Sequence, residues 1–180
     1  MSNLRIYAEN DSSKAEEYSS FDDIKEQLSK IGVSLELRNS EGPITDQSTQ
    51  DEILKAYEDS VSKLMKERGF QTADVISVTP ALENHPELRK KFLNEHTHSD
   101  DEARFFIDGK GLFCIHTDNK VFAMLCEKDD LINVPAGTKH WFDMGPEPNF
   151  KCIRVFTNQE GWVAEFTGNN IAEKFPRLEP

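Results

Sequence analysis

His96, His98 and Glu102 stand close together in the stretch FLNEHTHSDDEARFFIDG, in a chain that has only five histidines. On an extended strand, residues two and four apart face the same way, so His96, His98, Glu102 and Arg104 share one parity. A bulge or loop at SDD changes the directions but still leaves the first three within reach of one point. Two imidazoles and a carboxylate are donors of intermediate hardness. That set suits Fe, Ni, Mn, Co or Zn; Ca and Mg prefer oxygen alone, and structural zinc more often takes thiolates.

A fourth donor follows downstream, in NVPAGTKHWFDM. Pro135 and Gly137 make a turn, and His140 then opens an apolar strand that a closed sheet can aim back at the first three. Taken singly, the HTH fits an ordinary surface loop, and His140 beside Trp141 fits a half-buried hydrogen-bonding residue. Taken jointly with Glu102 and the strand-rich surroundings, the four predict a metal site. Four protein ligands leave two positions on an octahedral ion, enough for a bidentate oxygen substrate.

Two further residues have chemical possibilities. Arg104 is the candidate cation for a negatively charged substrate, the plainer alternative being a surface salt bridge to a nearby carboxylate. Asp101 is the candidate base, with Asp100 equally placed; an extended backbone would point Asp101 away from Glu102, and the sequence does not choose.

Elements must position these groups, and the chain is long enough to supply them. With 180 residues it matches one domain able to bury roughly 70% of its unfolded surface, a core that needs no disulfide or structural metal. Acidic residues number 33 against 21 basic ones, a formal charge of -12. Nucleic acid and anionic membranes are therefore poor partners, since both require basic patches. No apolar run approaches the roughly 18 residues of a membrane span, and MSNLRIYAENDSSK lacks the basic and apolar regions of a leader, so a cytoplasmic location is expected. Cys114, Cys126 and Cys152 each fall inside an apolar run with no CxxC pair, and are expected to be buried reduced thiols. A monomer is expected.

The first half reads as mostly helical. LRIY at 4–7 and VSLELR at 33–38 are strand candidates, as is DVISV at 74–78. A helix is predicted from Phe21 to about Lys30, capped by Ser20 with Asp23 at capping-box spacing. The longest helix should start at Thr49, capped with Glu52, carry the stripe Ile53, Tyr57, Val61, Leu64 and Met65, and stop at Gly69. A third is expected over Pro86–Phe92 with Asn84 as cap. From Ala103 onward ARFFI, GLFCIH, KVFAMLCE, DLINVP, HWFDM, KCIRVF and GWVAEF read as seven short strands, with HTDNK a hairpin turn. The fold class is mainly β with peripheral helices, a sheet sandwich or small barrel.

The same residues carry a family resemblance. His96, His98, Glu102 and Gly109 match the first cupin motif, H-x-H-x3-E-x6-G, and Pro135, Gly137 and His140 match the second, P-x-G-x2-H. KFLNEHTHSDDEARFFIDGKGLFCIH, VPAGTKHWFDMG, FKCIRVFTNQEGWVAEFTG and the terminal FPRL resemble the bacterial acireductone dioxygenase family of methionine salvage, nearly end to end. The resemblance implies a cupin double-stranded β-helix, a jelly-roll barrel: a single domain over 1–180, its helix-rich N-terminal half packed on a barrel built mainly from 96–168. It implies one Fe2+ or Ni2+ held by His96, His98, Glu102 and His140, with Co2+ or Mn2+ able to substitute. It implies O2-dependent cleavage of 1,2-dihydroxy-3-keto-5-(methylthio)pentene: the iron form to formate and 4-methylthio-2-oxobutanoate, the nickel form to formate, carbon monoxide and 3-(methylthio)propanoate. Phe92 and Phe142 are implied pocket walls, with Trp162 a further candidate. Another cupin dioxygenase or isomerase, or a cupin binding module without catalysis, are the alternatives.

Overall fold

Runs of β-branched and aromatic residues, separated by Gly, Asp and Asn, fold into two antiparallel sheets that share one long strand. The computed structural model of the chain describes residues 1–157 and 163–180. Its first half runs β1 (Asn3–Ala8), β2 (Asp11–Tyr18), α1 (Phe21–Ser29), β3 (Ser34–Leu37), α2 (Gln50–Ala56), α3 (Glu58–Arg68), β4 (Thr72–Val78) and α4 (His85–Phe92). There follow β5 (His96–Thr97), β6 (Glu102–Thr117), β7 (Lys120–Glu127), β8 (Asp130–Val134), β9 (Lys139–Asp143), β10 (Phe150–Phe156) and β11 (Glu165–Phe166), then a 3₁₀ turn at Ile171–Lys174. No helix among the described residues is long and apolar enough to cross a membrane.

One sheet has the order β11-β5-β9-β6-β7-β1-β2; in the other, β6 lies between β8 and β10, which pair outward with β3 and β4. The expected strands ARFFI and GLFCIH are therefore one 16-residue strand. Its first part pairs with β8 and β10, and its second with β7 and β9. The corner is Gly109, at φ +71° and paired with Phe150, just beyond Ile107, the extra residue at the register shift between Lys151 and Cys152. The extra residue flips the side-chain alternation, as a bulge must. Phe106 faces the interior before the corner, and Phe113 and Ile115 face it after.

Three apolar layers result. The interior, between the sheets, holds Leu4, Phe106, Phe113, Ile132, Phe142 and Phe150, closed at one side by Ile24 and Leu28 of α1. The outer face of the β8-β6-β10 sheet packs Phe105, Ile107, Leu131 and Ile153 under Ile53, Tyr57, Val61 and Leu64 of α2 and α3. Trp141, Cys114 and Tyr7, on the outer face of the other sheet, are covered by Ile171, Ala172 and Phe175 of the C-terminal tail. The expectation of a mainly β fold with helices outside is borne out.

Several expectations need correction. The strands expected at 4–7, 33–38 and 74–78 form as β1, β3 and β4 and complete the sheets by pairing with β7, β8 and β10, but a fourth strand, β2, makes the N-terminal half less helical than expected. β2 has no apolar alternation to announce it: DSSKAEEY is an edge strand, exposed along most of its length and held by pairing with β1. The long helix from Thr49 to Gly69 is two. The capping box of Thr49 and Glu52 forms and Gly69 ends α3 at φ +73°, but Tyr57 leaves helical geometry at φ -119°, ψ 17°. Its ring stands edge-on to Phe105 at 4.6 Å, so the break keeps the apolar stripe on a curved sheet. Asn84 makes no side-chain cap bond to α4. GWVAEF contributes only β11 among the described residues. HTDNK turns as expected, with Asp118 and Asn119 both at positive φ, the pattern of a two-residue hairpin loop.

Candidate metal centre and substrate pocket

The three histidines come together from two strands and a loop. His96 on β5 pairs directly with His140 on β9, which pairs in turn with Ile115 of β6. His98 lies just beyond β5, and residues 98–101 form the loop that leads into Glu102 at the start of β6. His96, His98, Glu102 and His140 are all buried. Candidate ligand atoms of the three imidazoles lie within 4.8 Å of one another. Glu102 Oε2 lies 2.7 Å from His140 Nε2 and 3.3 Å from His98 Nε2.

Each ring is oriented by its far nitrogen. Nδ1 of His96 donates to the Asn94 carbonyl at 2.7 Å, that of His140 to Thr138 at 2.8 Å, and that of His98 to Val163 at 3.2 Å. A carbonyl can only accept, so the proton sits on Nδ1 and a neutral ring presents a bare Nε2 lone pair. Burial pushes His96 down to about 4, and the neighbouring His140 adds to the effect, so the His96 ring is neutral at pH 7. Glu102 would be raised by burial, but Arg104 and then His140 outweigh it and hold the carboxyl well below the usual range. An ionised carboxylate thus faces the Nε2 atoms of His98 and His140, beside the neutral His96 ring. With the rings deprotonated at Nε2, this set of nitrogen and oxygen donors fits a divalent transition metal.

Beside the histidines opens a cavity of about 520 Å³. Ile76, Leu88, Phe92, Val163, Ala164 and Phe166 give it apolar walls, and Arg104, Arg154 and Lys91 give it positive charge. Arg104 is buried, its Nε 2.8 Å from Glu102 Oε1, and its guanidinium carbon lies 5.0 Å over the Phe142 ring and 5.9 Å over Phe92. Arg104 thus does pair with a nearby carboxylate, as the plainer alternative expected, but the pair is buried and not at the surface. Larger hollows of about 630 and 790 Å³ lie beside α2 and α3 and hold none of these histidines.

The structure thus unites His96, His98, Glu102, His140, Arg104 and Phe92. Phe142 is packed beneath Arg104, against Phe113 at 4.9 Å, and supports the guanidinium from below. Asp101 is placed elsewhere: its carboxylate accepts from the Ala136 N–H at 2.9 Å and faces Asn133, toward the β8–β9 turn. Trp162 lies outside the described residues.

Sequence reasoning passed over Glu95. It is buried, accepting from His116 Nδ1 at 2.6 Å and from the Thr167 hydroxyl at 2.7 Å, while its carbonyl accepts from Thr167 N–H. This node fastens β11 beside His96. Its partners are 21 and 72 residues away, so no local pattern marks it. Arg154, paired with Asp74 across β10 and β4, was likewise unmarked.

A profile of the ARD/ARD' family matches residues 3–164. The chain belongs to this family. It is 54% identical to acireductone dioxygenase of Hahella chejuensis, over 99% of this chain and 97% of that protein. It is 49% identical to acireductone dioxygenase of Aquifex aeolicus over the same shares of the two chains. Among solved structures, acireductone dioxygenase from Bacillus anthracis with a cadmium ion in its active centre superposes with a TM-score of 0.81. That pair is 30% identical and covers 92% of this chain and 98% of the other. The family match establishes the expected cupin double-stranded β-helix, and the histidine triad is a site for a single transition-metal ion.

Proposed function

We propose that this chain cleaves the acireductone 1,2-dihydroxy-3-keto-5-(methylthio)pentene with O2, as a metal-dependent dioxygenase of methionine salvage. The observation that carries the reading is the convergence of the His96, His98 and His140 rings, with the ionised Glu102 against His98 and His140, beside a cavity with apolar walls and buried positive charge. His96, His98, Glu102 and His140 would hold Fe2+ or Ni2+, with Co2+ or Mn2+ as substitutes. When bound, the metal supplies a Lewis acid that favours the deprotonated, electron-rich ene-diol.

The chain's own residues do the rest. Arg104 stabilises the negative charge of the ene-diolate and keeps Glu102 ionised. Phe92, with Leu88 and Val163, receives the methylthio tail, and Phe142 fixes Arg104. To act as the base, Asp101 would have to release the Ala136 N–H; its bonds support a role in ordering the 98–101 loop between two ligands. One cupin domain over 1–180, working as a monomer in the cytoplasm, completes the reading, and three buried free thiols suit that reducing compartment.

Stripping the protein and reloading separate samples with Fe2+ and Ni2+ tests this. Under air with the acireductone, the iron sample should give formate and 4-methylthio-2-oxobutanoate without carbon monoxide. The nickel sample should give formate, carbon monoxide and 3-(methylthio)propanoate. Identical products from single-metal samples would reject control by the metal. No O2 uptake by either would reject the dioxygenase in favour of another cupin activity or a binding module.

A further inference from the structure

Asp143 lies three residues beyond His140 on β9, is 1% exposed, and is not among the residues that line the cavity. Its carboxylate is fully engaged. Oδ1 accepts from Arg89 Nε at 2.8 Å and Gly145 N–H at 2.9 Å; Oδ2 accepts from Arg89 Nη2 at 3.1 Å and Leu178 N–H at 2.9 Å. Three segments meet there: helix α4 through Arg89, the ligand strand through Asp143, and the C-terminal tail through Leu178.

Helix α4 depends on this junction more than its length suggests. None of its residues is fully buried; Leu88 and Phe92, four apart and so on one face, are only partly buried against the interior core. Yet the same helix supplies Leu88, Lys91 and Phe92 to the cavity wall. The planar guanidinium on Asp143 fixes both the distance and the rotation of α4 relative to β9, because two parallel bonds define an orientation where one would not.

We propose that the Arg89–Asp143 clasp is a positioning device that sets the width of the substrate cavity, and with it the length of acireductone side chain the protein prefers. This rests on the dioxygenase reading above. Arg89 acts through Leu88 and Phe92 and meets no reacting atom. A single methylene in an apolar pocket changes selectivity by about 10- to 200-fold, so a small drift of one wall is enough to be read in kinetics.

The test uses nickel-loaded protein and a series of acireductones whose side chains are shorter and longer than the methylthio one. Arg89→Gln should keep its full metal content, raise KM for the methylthio substrate about 5-fold, and narrow the kcat/KM ratio between it and the longest analogue by about 3-fold or more. Arg89→Lys, keeping the charge without the fork, should shift the ratio in the same direction but less. Arg89→Gln with full metal content and the wild-type ratio would overturn the clasp. Should Arg89→Gln lose its fold or metal, Arg89→Lys is read in its place, and an unchanged ratio there has the same meaning. A wild-type protein that takes up no O2 with any analogue would instead remove the dioxygenase reading, and the clasp's role in selectivity with it.

Discussion

Glu102 and Arg104, two residues apart on β6, form a buried ion pair with Oε1 2.8 Å from Nε. The other carboxylate oxygen turns to His140. One side chain therefore serves the metal and the cation together, and Arg104 stands between the ligand set and the aromatic wall.

Replacing Arg104 by lysine keeps the charge but loses the planar fork and its contact with the Phe142 face. Metal content should persist while turnover falls about 10-fold or more, as for a buried charge-assisted contact that is only partly rebuilt. Metal analysis beside O2-uptake kinetics checks this. Wild-type kinetics in the lysine variant would take Arg104 out of the reaction.

The ligand set was legible in sequence because its information is local. His96, His98 and Glu102 share one short segment, and Pro135 and Gly137 mark the turn before His140. The corner at Gly109 was not legible: ARFFI and GLFCIH look like two strands because a glycine inside one long strand reads as a turn. β2 was missed because an edge strand held by backbone pairing needs no apolar alternation. Glu95 and Asp143 were missed for a different reason. Each is an ordinary acidic residue until distant segments bring it His116 and Thr167, or Arg89 and Leu178. Asp101 shows the converse, since its nearness to Glu102 in sequence does not bring its carboxylate to the site.

Gly109→Ala should be among the most damaging single substitutions. Its φ is +71°, and an added Cβ would lie 1.8 Å from the Asn149 carbonyl oxygen, a clash with backbone that no rotamer relieves. A loss of about 3 kcal/mol or more is expected from strain and overpacking together. Gly69→Ala is the control: its φ of +73° is similar, but nothing lies within 4 Å of the new Cβ. Strain alone should cost it about 1–2 kcal/mol. Urea unfolding of both proteins separates the two contributions, and equal losses would refute the clash at the corner.

The three thiols should be silent in the folded protein. Cys114, Cys126 and Cys152 are 0% exposed, and burial pushes Cys152 up to about 12 and the other two well above the ordinary thiol range. The thiolate is the reactive form, so a disulfide reagent at pH 8 should label none of them before unfolding and all three in urea. Fast labelling of the native protein would contradict the packing of β6, β7 and β10.

The last expectation concerns acid. In the metal-free protein, burial and then His140 depress His96 to about 4, against about 6.5 for an unfolded histidine. Between those values the unfolded chain takes up a proton that the folded ring refuses, so stability falls as the pH drops from 6.5 to 4. Above 6.5 both states are neutral and the contribution is constant; below 4 both are protonated and no further loss follows. The full swing is about 3 kcal/mol by linkage. The depressed Glu102 carboxyl adds its own loss lower down, once the pH passes below the ordinary carboxylate value, so the two windows separate. Urea unfolding of metal-free protein from pH 4 to 7.5 should therefore show a slope over 4–6.5 that is shallower in His96→Gln. The same slope in both proteins would mean that His96 titrates normally and that its ring is not held neutral for the metal.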